Sequence, residues 1–100
     1  MNEKNRTHAN MVLRLASGLA SARKVAEATG NLGELRPMIQ STYSALLTCD
    51  YRDEEDFREA RLKAADITDA MSCDGYSEWV SAETSDLIRD LNTIHEGFAA

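Results

Sequence analysis

Proline occurs once in these 100 residues, at Pro37, and glycine only five times. So few breakers exclude a chain of many short strands and tight turns, and they leave long stretches free for helices. Aromatic residues are as scarce, six in all, against fourteen alanines. A core of such side chains gains its burial from close approach of helices rather than from bulk. The two cysteines, Cys49 and Cys73, are too few for a disulfide framework. Each falls near the C-terminal end of an expected helix. In an antiparallel pair those ends are separated by roughly 20–30 Å, far beyond disulfide reach.

Histidine is limited to His8 and His95, and neither has a second histidine or cysteine within a turn, whereas a metal site gathers three or four ligands. His8 is expected in a solvated first turn, and His95 as a half-buried structural residue. No glycine-rich phosphate loop, nucleophile elbow or Cys–His pairing is present. No apolar run approaches the roughly 18–20 residues that span a bilayer. The polar start, Met1 to Arg6, and the interruptions at Arg14, Arg23 and Lys24 do not make a signal-peptide core. These absences predict a non-catalytic protein without cofactor or metal, away from membranes and in the cytoplasm.

Charge is present but unevenly placed. Residues 1–49 have a balance of +3 and residues 50–100 a balance of −9, giving the net −6. The acidic half opposes direct nucleic-acid binding, which needs a basic stripe to neutralise phosphates. It suits a basic protein partner, such as a DNA-binding regulator, or the basic half of a second copy.

Hydrophobic spacing predicts an all-α fold, a small antiparallel bundle of four helices over about 6–29, 34–49, 53–73 and 77–97, in a single domain with residues 1–5 frayed. In the first helix Val12, Leu15, Ala16, Leu19, Ala22 and Ala26 line one face, and Gly30 supplies a left-handed stop. In the second, Leu35, Met38, Ile39, Thr42, Tyr43, Leu46 and Leu47 make a broad apolar face, with Pro37 tolerated in the first turn. The third opens on Asp53-Glu54-Glu55-Asp56, where an aspartate cap and negative charge favour the helix start. Its seam is Phe57, Ala60, Ala64, Ile67 and Met71, with Glu54–Arg58 and Glu59–Lys63 spaced as ion pairs. Ser77 is the expected cap of the fourth, whose seam is Val80, Thr84, Leu87, Leu91, Ile94 and Phe98.

Two surfaces stand out as candidates for partner or dimer contact. Gly18, Ala22 and Ala26 recur every four residues beside Leu19, a small-residue groove where another helix backbone can approach. With Ala60 and Ala64 also small, the core looks incomplete alone, and a symmetric homodimer is the expected state. The second is Trp79 with Tyr76, an aromatic spot beside Glu83, Asp86 and Asp90, a composition common in binding hot spots. The alternative for Trp79 is that it folds over the bundle end and covers the core. The expected function is a regulator that binds and inhibits a partner protein through a helical face, as antiactivators and immunity-type inhibitors do. The alternative is a self-assembling accessory subunit or a small secretion-type chaperone.

Overall fold

The computed structural model describes residues 2–99, which form four helices: α1 (Glu3–Thr29), α2 (Leu35–Thr48), α3 (Glu55–Asp74) and α4 (Glu78–Ala99). The all-α bundle expected from hydrophobic spacing is what the chain forms, with shifts of more than one residue at three of the ends. The frayed start is corrected. Asn2 caps α1, its side-chain oxygen accepting from the Asn5 N–H at 2.7 Å. The first turn is also held from outside, because the Tyr51 hydroxyl donates to Asn5 Oδ1 and Lys4 pairs with Asp50 at 3.8 Å. His8 is correspondingly not a loose solvated residue: its ring meets Tyr51 edge-on at 4.7 Å and its Nδ1 lies 2.8 Å from the Lys4 carbonyl.

Gly30 closes α1 at φ 72°, its N–H donating to the Ala26 carbonyl at 2.8 Å. In α2, Pro37 sits within the first turn, where no intrahelical partner exists for its missing N–H. The third helix begins two residues later than expected. Residues 51–54 are taken by turns in which Arg52 and Glu54 donate to the carbonyls of Cys49 and Tyr51, so Asp53 does not cap and Glu54 stands at the boundary. Ser77 caps α4 as expected, accepting from the Val80 N–H at 3.1 Å, and the helix continues two residues beyond 97.

Each helix packs on two others: α1 on α2 and α4, and α3 on α2 and α4. Among the described residues α1 and α3 lie on one diagonal and α2 and α4 on the other, with no close backbone approach across either. Chain-neighbouring helices run antiparallel, with Gly18 against Met38, Arg36 against Met71 and Lys63 against Asp90. This order explains the alanines. The diagonal pair, α1 and α3, carries Ala16, Ala22, Ala26, Ala60 and Ala64 into the core, while α2 and α4 bring Leu35, Ile39, Leu46, Leu87, Leu91 and Ile94. Every interface therefore joins an alanine-rich seam to a bulky one, which lets the layers interdigitate. Each fully buried Leu or Ile contributes roughly 1.5–3 kcal/mol.

Two threonines interrupt the core. Thr42 is fully buried and donates to the Met38 carbonyl at 2.8 Å; Thr84 is equally buried, and its hydroxyl has no hydrogen-bond partner.

Candidate functional site

The small-residue groove of α1 is not an outer surface. Leu19, Ala22 and Ala26 are buried inside the chain at 0–2% exposure. Gly18 faces Met38 of α2 so closely that a Cβ there would lie 2.6 Å from the Met38 methyl carbon. The spacing that permits close helix approach is used by the chain's own neighbours. The argument for a second copy that rested on an incomplete core falls with it.

Two arginines of the basic half are likewise engaged within the fold. Arg23 donates to the Ser81 carbonyl at 2.9 Å and pairs with Glu27 at 3.1 Å, while the Ser81 hydroxyl donates to the same Glu27 oxygen. Arg36 donates to the Met71 carbonyl at 3.3 Å, near the end of α3 where carbonyls run out of helical partners.

The α3/α4 face is different. Trp79 occupies the first turn of α4, where it is 48% exposed rather than folded over the core. On α3, Leu62 points away from the seam, since it lies two residues from both Ala60 and Ala64, and at 57% it is the most exposed large apolar side chain among the described residues. Trp79 and Leu62 line one groove of about 230 Å³, rimmed by Glu59, Asp66 and Glu83. Lys63 also reaches this groove, but its ammonium is held by Asp90 at 2.8 Å. The pairs expected along α3 are absent, because Lys63 crosses to α4 and Glu54 lies outside the helix. None of the three rim carboxylates has an ion-pair partner among the described residues.

Tyr76 does not join Trp79. It is half-buried against the core, with its hydroxyl buried and without a partner. Glu83 lines the groove, and Asp86 stands outside it, accepting from Arg89 at 2.8 Å. The exposed spot is thus a Trp–Leu pair rather than a Trp–Tyr pair. Leu62 carried one signal in the sequence: a leucine among the charged, outward positions of a helix whose seam is already complete without it.

The remaining chemistry-bearing side chains do not converge. Cys49 is buried and Cys73 exposed, and they are unpaired. Among the described residues no group of three or more His, Cys, Asp or Glu is gathered as metal ligands would be. None of the described helices is long and apolar enough to cross a membrane. No family model matches the chain, and no curated protein or solved structure shows significant similarity to it.

Proposed function

We propose that this chain is a non-catalytic regulator that binds a partner protein through its α3/α4 face and inhibits it by covering the partner's own working surface. The observation that carries this reading is the joint exposure of Trp79 and Leu62 on one groove. A single exposed leucine is ordinary. A tryptophan and a leucine sharing a groove, ringed by carboxylates, have the make-up of a hot spot with a polar rim. The rim favours a basic partner, a DNA-binding regulator being one such class, because complementary charge speeds encounter and rejects acidic competitors. A second copy docked face to face through this groove is a poor occupant, since it would bring two sets of Glu59, Asp66 and Glu83 together.

The test is affinity capture with the wild-type chain, the Trp79→Ala/Leu62→Ser double variant, and Leu13→Ser as a control on α1. The expected result is a basic partner retained by the wild type and the control and lost from the double variant. Equal retention by all three would sink the proposal. If light scattering instead shows a stable oligomer that the double variant dissociates, the self-assembling accessory subunit takes its place.

A further inference from the structure

The Trp79–Leu62 groove does not stop at Glu59. That residue also lines a small depression of about 90 Å³, together with Asp56, Asp90, Thr93 and Ile94. The depression in turn shares Asp56, Thr93 and Ile94 with a cleft of about 510 Å³ between the start of α3 and the end of α4. Aromatic side chains form one wall of this cleft. Tyr51 stacks on Phe57 with centroids 5.7 Å apart, and Phe98 meets both edge-on at 5.3 and 6.1 Å. Glu54, Glu55 and Asp56 form its acidic edge.

We infer that the three depressions are one furrow along the α3/α4 seam. Its occupant is a basic segment of a partner protein with an apolar residue at each end, one on Trp79 and Leu62, the other in the Tyr51–Phe57–Phe98 cleft. This rests on the docking reading above and extends it by a second anchor and a defined partner chemistry. Charge selects the occupant. Glu54, Glu55, Asp56, Glu59, Asp66 and Glu83 line the furrow, and none has an ion-pair partner among the described residues. The one lysine is bound to Asp90. A groove lined by one sign of charge concentrates the opposite sign. Acidic surfaces, nucleic acid and anionic lipid are repelled, while a simple polyamine would leave both apolar ends uncovered. From Trp79 to Phe98 the furrow runs about 28 Å at the rise of an α-helix. An amphipathic helix of roughly 19 residues has that length, and helix-in-groove docking uses such spaced apolar anchors.

Gly97 offers a clean way to close the far end. It lines the cleft, lies within α4, and a Cβ built on it meets nothing within 4 Å. Gly97→Leu would therefore start its side chain in open space at the cleft and raise helix propensity. Trp79 is the only tryptophan in the chain, so its fluorescence reports occupancy of the near end directly.

The experiment titrates the full chain with a 20-residue amphipathic Lys/Leu peptide lacking tryptophan, and with its Glu/Leu counterpart. The expected result is a saturable change in Trp79 emission with the lysine peptide alone. Gly97→Leu, with its Tm retained, and Thr93→Arg, which sets a cation at mid-furrow, should each weaken binding about tenfold, the loss of one anchor contact. No saturable binding of the lysine peptide, or equal binding of the glutamate peptide, overturns the basic occupant. If Leu62→Ser weakens binding while Gly97→Leu and Thr93→Arg do not, the second anchor is wrong and the simpler docking reading stands. If Leu62→Ser is also without effect, both fail.

Discussion

The α1/α2 half and the α3/α4 half of this bundle treat their unusual residues in opposite ways. In the first half the glycine and two of the arginines are absorbed by packing: Gly18 seats Met38, Arg23 holds Ser81 and Glu27, and Arg36 reaches the end of α3, while Leu13, Val25 and Leu47 stay exposed. In the second half Leu62, Trp79 and the carboxylates of Glu59, Asp66 and Glu83 face outward, and none of these carboxylates has an ion-pair partner among the described residues. A feature that looks functional in a helical sequence can be satisfied internally, and which side of the seam it occupies decides. Gly18 and its small neighbours lie on the seam; Leu62 lies opposite it.

That contrast breaks most sharply with a matched pair of substitutions. Leu19→Glu would put an unpaired carboxylate at a fully buried site and should cost at least about 4 kcal/mol, a large part of a small domain's total stability. Leu62→Glu should change stability by less than about 0.5 kcal/mol. Thermal and urea unfolding of both variants would check this, and comparable losses would mean that Leu62 has a packing role. Next in size is Arg23→Ala, which removes a charged hydrogen bond joining the end of α1 to the start of α4. Discounted for its 29% side-chain exposure, the expected loss is about 1 kcal/mol in urea denaturation. Smallest is Gly18→Ala. It gains close to 1 kcal/mol of helix propensity but displaces the flexible tip of Met38. The net change in urea denaturation should stay within about 0.5 kcal/mol. A loss of several kcal/mol would show that Met38 has no room to move.

The helices and their buried faces were legible in the sequence because periodicity reports one thing well, which residues share a face. Val12, Leu19, Ile39, Ile67, Leu87 and Leu91 were all placed in the core by spacing and are all fully buried. Local chemistry was equally readable at Gly30 and Ser77, where the signal lies within a few residues. What spacing does not encode is which faces meet. The start of α1 combines a local cap at Asn2 with a contact from Tyr51, 46 residues away along the chain from Asn5, and only the first of these is carried by neighbouring residues. The small-residue seam has the same signature whether its neighbour is the same chain or another. The groove needed α3 and α4 to be known as neighbours before Leu62 and Trp79 could be seen together. The ion pairs of α3 depart from their spacing for a related reason. A spacing of four makes a pair available, and in Lys63 the cross-helix carboxylate of Asp90 won.

The ring of contacts has a consequence for how the chain reaches its native state. Its broadest interface joins α1 to α4, the two helices most distant in sequence, and Val12, Ala16 and Leu19 lie within the core that α4 helps to close. The three hairpin-like contacts between successive helices are local and can form early, but closing the ring is a long-range step and carries the entropy of a long loop. During synthesis the seam of α1 therefore remains uncovered on one side until α4 has emerged. Docking of α4 onto α1 is then the step that closes the core.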